Sequence, residues 1–252
     1  MRTLKLTIAY DGTRYAGWQV QRNTTKPTIQ GTLERAFSRI LGERVRVIGS
    51  GRTDAGVHAA AQVAHVRVRS AMPCERLWRS ANALLPRDLA LISLRDADPS
   101  FHAQFRAARK RYRYRMFTGA VVPPFIRPYV HHVRHAVALS RMRQEAQALR
   151  GRHDFAAFAR AGGKERRTTS RVLTEVRLTR RGEELWLDVE GNGFLHTMVR
   201  SIAGTLLDVG RGRRPTGTVR RMLATRSRTL AGTTAPARGL TLVSVAYQHP
   251  HG

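Results

Sequence analysis

Two rounds of strands alternating with helices predict an α+β protein built from a pair of similar split βαβ units. Three observations carry that expectation: apolar residues with period two, apolar residues with helical period, and the recurrence of the same order in each half. In the first half, "LKLTIAY" alternates Leu4, Leu6 and Ile8 with other residues and reads as a strand. "TIQGTLERAFSRILG" sets Ile29, Leu33, Phe37 and Ile40 on one helical face. "VRVIG" and "AQVAHVRVR" read as strands, "PCERLWRSANALL" as a helix starting at Pro73, and "LALISL" as a strand. The second half offers the strand "RYRYRMF", a helix over 139–150, and strands "VLTEVRLTR" and "EELWLDVEG". The helix "LHTMVRSIAGTLLDVG" and the strand "LTLVSVAYQ" close the chain. Pro99 in "RDADPSFHAQ" marks the junction, so the expected units are 1–100 and 101–252.

Composition narrows the function classes. The chain has 252 residues, 42% of them hydrophobic, enough for one large core or two smaller ones and too many for a disordered basic tail. No apolar run approaches the ~20 residues that span a bilayer. The opening alternation is unlike the continuous apolar core of a signal peptide. The single Cys74 excludes an internal disulfide and a cysteine-based zinc site. These readings point to a soluble, cytoplasmic protein. Against 17 acidic residues stand 45 Lys and Arg, only four of them lysine, for a net charge of +28. Codon bias explains arginine in place of lysine, but not the shortage of acids. A field of this size favours a polyanion, with nucleic acid the first candidate. On charge alone, a ribosomal or membrane-surface protein stays open.

The stretch "GSGRTDAGVHAAAQ" places one carboxylate, Asp54, among three glycines, next to Arg52 and near His58. An aspartate in such a turn ordinarily bonds its own backbone. This loop, however, hangs from two strand ends, where sites are often built. In "RYRY", alternation puts Tyr112 and Tyr114 on one face and Arg111, Arg113 and Arg115 on the other. Spacing does not decide whether those tyrosines fill a core or meet a base. Arg200 alone reads as a phosphate contact or a solvated helix residue. Trp18 reads equally as an RNA platform or a hairpin-packing aromatic. His131, His132 and His135 lack the cysteine or paired carboxylate that would support a metal site. The basic loop over 160–171 is either a solvated connection or an arm touching phosphate.

"GRTDAGVHA" resembles the signature of the tRNA pseudouridine synthases of the TruA family. "YDGTRYAGWQVQ", "FHAQFRAARKRYRY", "GNGFLHTMVRSIAGTLLDVG" and "RTLAGTTAPARGLTLV" resemble further blocks of that family, in family order, from about residue 8 to 247. The resemblance implies a cofactor-free, metal-free isomerase that converts uridine to pseudouridine at positions 38, 39 and 40 of the tRNA anticodon stem-loop. It implies a homodimer, with no membrane or small-molecule cofactor among its partners. By the same resemblance Asp54 is the catalytic nucleophile, and Tyr112, Arg52, Arg200 and the apolar Leu240 bind substrate. The implied fold is two RRM-like or ferredoxin-like units whose antiparallel sheets join into one extended sheet around a basic active-site cleft. Arg200 is then expected to reach Asp54 from the second half. Thr241 and Thr233 depart from the family pattern, which commonly has an aromatic and a proline there.

These residues suit the chemistry on their own terms. Breaking the bond from ribose C1′ to uracil N1 develops positive charge on the sugar. One carboxylate can stabilise that charge, add to the carbon, or remove a ribose proton. The departing uracil anion delocalises onto two carbonyls and is recaptured in the site, so a second acid is dispensable. A stem nucleotide must be flipped out first, at roughly a few kcal/mol, and Arg52 can take the vacated space. The rival readings are a non-catalytic RNA-binding module or chaperone, and a hydrolase that uses Asp54 on an N-glycosidic bond.

Overall fold

Apolar side chains at every second position make the first strand. In the computed structural model, which describes residues 1–21, 24–160 and 168–248, β1 (Arg2–Tyr10) buries Leu4, Leu6 and Ile8. Thr28 starts α1 (Ile29–Leu41) by accepting the Gly31 amide at 3.2 Å, and Gly42 ends it in left-handed backbone at φ 66°. Ile29, Leu33 and Phe37 form its buried stripe. β2 (Val47–Gly49), β3 (His58–Val68), α2 (Cys74–Leu84) and β4 (Leu89–Ala97) follow. β1 is antiparallel to β3 on one side and to β4 on the other, and β2 is antiparallel to β3. The resulting order, 4-1-3-2, is that of the expected split βαβ unit.

The chain divides into two units, Met1–Ala108 with the residues from Leu242 onward, and Arg109–Thr241. Into the second unit run β5 (Ala107–Phe117), β6 (His131–His132), α3 (Leu139–Gln147), β7 (Gly151–Asp154), β8 (Ser170–Arg181), β9 (Glu184–Gly191), α4 (Met198–Gly210) and α5 (Thr218–Thr225). β9 is antiparallel to both β5 and β8, β7 is antiparallel to β8, and β6 is parallel to β5. The order β5-β9-β8, with α3 after β5 and α4 after β9, repeats the order β1-β3-β2 of the first unit. β10 (Leu240–Tyr247) begins in the second unit and ends in the first, beside β3. There Val245 and Tyr247 pack with Val63, Phe101 and Ala103, and the Tyr247 hydroxyl donates to the Ala103 carbonyl at 2.8 Å. Periodicity is a local property and does not register such a return.

α5 has no cap of its own. Its preceding residue, Gly217, has no side chain to offer, and the buried Glu145 carboxylate of α3 accepts the Gly217 amide at 2.5 Å and the Val219 amide at 2.8 Å. Charged acceptors on orphan helix amides are strong bonds. Glu145→Ala is expected to destabilise the second unit by about 3 kcal/mol, with Glu145→Gln intermediate. Urea unfolding checks this, and an Ala variant as stable as the parent would refute it.

Among the described residues, no helix is long and apolar enough to cross a membrane. Most of the basic loop over 160–171, residues 161–167, lies outside the described residues.

Candidate active site

β2 ends at Gly49 and β3 begins at His58, so the Asp54 loop does connect two strand ends. Asp54 opens a four-residue turn in which the Val57 amide donates to the Asp54 carbonyl at 3.2 Å. Gly56, third in the turn, has φ +76°, which places it in the backbone region a type II turn requires there. The turn thereby leaves the Asp54 side chain half-buried and the Arg52 side chain exposed.

The loop is braced from beneath. The Tyr10 hydroxyl and Thr53 Oγ1 are hydrogen-bonded at 2.9 Å, both side chains being buried. Ser50 donates to Gln62 Oε1 at 2.6 Å, and the Gln62 amide nitrogen donates to the Gly51 carbonyl at 3.0 Å. Ser50 and Gln62 are themselves buried, so these bonds are sheltered from competing water. Burial pushes the Tyr10 phenol up to about 12, which keeps it a neutral hydrogen-bonding group.

From the side, the segment 12–18 closes on the same loop. The Trp18 amide donates to the Thr53 carbonyl at 3.1 Å, and the Gly12 amide donates to His58 Nδ1 at 3.1 Å. A side chain at Gly17, φ +98°, would come within 2.7 Å of the Thr53 carbonyl oxygen, so only glycine fits this approach. Trp18 is 2% exposed, lies 6.4 Å from the Tyr10 ring and packs on Gly49. Of its two sequence readings, the structure selects packing. Tyr10, Ser50 and Gln62 were not legible as site residues, although a glutamine within the apolar run "AQVAHV" was a signal.

The remaining expected residues belong to the second unit. β5 pairs Tyr112 with Val189 and Tyr114 with Leu187, which puts both tyrosines on the buried face. Tyr112 is 7% exposed, its ring edge-on to Phe194 at 5.0 Å. Tyr114 is fully buried and its hydroxyl donates to the Pro236 carbonyl at 2.9 Å, a core role. Arg200, on the first turn of α4, donates from Nε to the Ala235 carbonyl at 2.8 Å, and the Ala235 amide returns a bond to the Arg200 carbonyl at 3.1 Å. Within this unit the segment 235–240, ending at the buried Leu240, thus ties Arg200 to the strand of Tyr112 and Tyr114. Thr233, two residues before that segment, donates its amide to Asp208 at 3.1 Å, a bond that a proline there cannot make.

The alternate face of β5 holds arginines that are already compensated. Arg113 grips Asp188 through two nitrogens at 2.9 and 3.2 Å, and Arg115 grips Glu184 at 2.8 and 2.7 Å. Arg111 stands 3.7 Å from both Glu175 and Asp188. The Arg115 guanidinium holds the Glu184 carboxyl below its usual range. Trp186 fills the space between Arg113 and Arg181, whose guanidiniums lie 4.0 and 4.3 Å from its ring centre. Four of the chain's 17 acids are committed to this one face, if Glu190 beside Arg109 is counted with the three named. Arg113 and Arg115 thus tie β5 to β9 through carboxylates of their own.

Of the histidines in "HHVRH", His131 lies edge-on to Tyr114 at 6.1 Å and His132 Nε2 donates to the Gly119 carbonyl at 2.9 Å. Among the described residues, no three His, Cys, Asp or Glu side chains gather as metal ligands would.

A family model described as tRNA pseudouridine synthase matches residues 6–106 and 146–248 of this chain. Curated relatives match over nearly its whole length. A protein of Pelobacter propionicus named tRNA pseudouridine synthase A is 47% identical over 247 residues, 98% of this chain and 100% of the relative. Proteins of the same name from Anoxybacillus flavithermus and Acetivibrio thermocellus are 44% and 41% identical, covering 99% and 98% of this chain and all of their own lengths.

Proposed function

Because the chain belongs to the tRNA pseudouridine synthases, and so converts uridine in tRNA to pseudouridine, we propose that its targets are positions 38, 39 and 40 of the anticodon stem-loop and that Asp54 carries the chemistry. The observation behind this reading is the single acid of a tight turn, Asp54, held at two strand ends by buried hydrogen bonds from below and a glycine contact from the side.

The reaction is an isomerisation and needs no co-reactant. The C1′–N1 bond breaks, with its electron pair leaving on uracil. Asp54 supports the electron-poor ribose, by bonding to C1′ or by taking a sugar proton. The uracil turns, C5 bonds to C1′, and the proton on C5 is lost while N1 gains one. Tyr112 stacks on the base and handles the C5 proton. Arg200 orients charge, Leu240 lines the pocket and Arg52 fills the gap left in the stem. We place the enzyme in the cytoplasm as a homodimer, which sedimentation at micromolar concentration tests.

Incubation with tRNA carrying C5-tritiated uridine tests the whole reading, since isomerisation releases that tritium. A module that only binds RNA releases none, and a hydrolase liberates free uracil that still carries its tritium at C5. Retained tritium in tRNA that the protein binds would overturn the proposal. Arg52→Ala is expected to slow stem uridines by about tenfold or more, because the unstacking of a few kcal/mol goes uncompensated. Parental turnover and parental affinity together would remove that role.

A further inference from the structure

The segment 12–18 has two sides, and the second side opens on a recess of about 520 Å³ in the first unit. Its walls carry Arg14 from that segment and Arg35 and Arg39 from α1, with Asp88 and Tyr15 beside them. Arg35 and Arg39 are four residues apart, so they rise on one face of the helix, opposite the buried Leu33 and Phe37. Glu34 is the single acid of α1, and it is spent elsewhere, accepting the Val47 amide at 2.9 Å and the Gln30 side chain at 2.9 Å.

Asp88 neutralises only part of this wall. One of its oxygens accepts Arg14 Nε at 3.0 Å, the other the Tyr15 hydroxyl at 2.7 Å. Three guanidiniums against one carboxylate leave the recess with two uncompensated positive charges. Arg14 is itself 76% exposed and keeps its remaining donors for another acceptor. A concave wall of like charges focuses its field on the space in front of it, and the guanidinium fork matches phosphate oxygens.

We propose that the Arg14–Arg35–Arg39 recess binds backbone phosphates of the tRNA, next to the nucleotide on which Asp54 acts. The loop geometry supplies the proximity: Arg14 and Tyr15 line the recess, while Gly12 and Trp18 of the same short segment bond His58 and Thr53 around the Asp54 turn. The inference rests on the tRNA reading above and names residues that grip the RNA. The Arg113–Asp188 and Arg115–Glu184 pairs show the contrast, since each of those guanidiniums already holds a carboxylate of its own.

The test is equilibrium binding of an unmodified tRNA transcript at several salt concentrations, using the full chain. Arg35→Ala/Arg39→Ala is expected to raise Kd by about tenfold or more and to lower the slope of log K against log salt by roughly 1 to 2, the release of counterions from about two phosphates. Arg35→Lys/Arg39→Lys restores most of the slope, because the charge returns. The control pair Arg220→Ala/Arg221→Ala, exposed on α5 and removing the same charge, moves Kd less than threefold. Unchanged binding in the Arg35/Arg39 pair, or an equal loss in both pairs, overturns the site and leaves only the field of the net charge. Tritium release, scored separately, keeps the two proposals apart. Lost affinity without pseudouridine in the parent sinks the activity and keeps the site, and pseudouridine with indifferent arginines does the reverse.

Discussion

Asp54→Asn is expected to lower pseudouridine formation by at least about three orders of magnitude while tRNA affinity stays within about threefold of the parent. The two halves of that expectation have different physical sources. Affinity for tRNA comes mostly from phosphate contacts, which a neutral amide at one loop position leaves intact. On the proposed mechanism turnover depends on a carboxylate facing the sugar as it becomes electron-poor, and asparagine supplies neither the charge nor a competent nucleophile. The substitution is nearly isosteric, and the turn is held by main-chain and neighbouring groups: Val57 to the Asp54 carbonyl, Tyr10 to Thr53, Gln62 to Gly51. The thermal midpoint, measured alongside, separates lost chemistry from a lost fold. Asp54→Ala gives the same activity result and controls for residual deamidation of the asparagine. Tritium release at the parental rate by either variant removes Asp54 from the mechanism.

How much of this was legible depends on whether the cause was local. Helix α1 was readable to within a residue because Thr28 and Gly42 cap it from the adjoining sequence. α5 was not read at all, since its cap comes from Glu145, and Gly217 at its start gives no signal of a helix. The helix read over 195–210 starts at Met198, because Thr197 takes left-handed backbone at φ 61°. The tyrosine–arginine alternation in "RYRYRMF" fixed the two faces correctly. It did not reveal that Asp188, Glu184 and Glu175 wait on the neighbouring strands, because pairing partners far along the chain are set by register. At the site, the Asp54 turn was visible in its glycines, while the Tyr10, Ser50 and Gln62 bracing and the Arg14–Arg35–Arg39 recess were not. Both join residues that are distant in sequence and meet only through strand pairing and helix packing.

Acid is expected to weaken both units well above the pH at which their carboxylates protonate, through His65 and its neighbour His102 in the first and His131 in the second. His65 on β3 is 2% exposed, and its Nδ1 accepts the Ala103 amide at 3.2 Å. Burial, with His102 and Arg67 adding to it, pushes its imidazole down to about 4. The second unit has His131, pushed down to about 4 by burial first and then by the guanidiniums of Arg238 and Arg211. Both are neutral in the folded protein across a range in which the unfolded chain already binds protons. With unfolded values near 6.5, nothing changes above about pH 7. Stability then falls as pH drops through 6.5, and the loss levels off near pH 4. At pH 5 the difference amounts to about 2 kcal/mol for His65, and less for His131 because that residue is only partly buried. The carboxylates held low by arginine or hydroxyl partners, Asp96, Asp154 and Glu184, also lose stabilisation on acidification, but at lower pH. Their stabilisation is intact above the ordinary carboxylate range and is lost below it, outside the window from 7 to 5. Urea unfolding at pH 7.5, 6 and 5, followed unit by unit through hydrogen exchange, measures the slope. His65→Gln retains an acceptor for the Ala103 amide and no proton to bind, so it should flatten the slope of the first unit and leave that of the second. A first unit whose stability is constant from pH 7.5 to 5, or a His65→Gln variant with the parental slope, would refute the assignment.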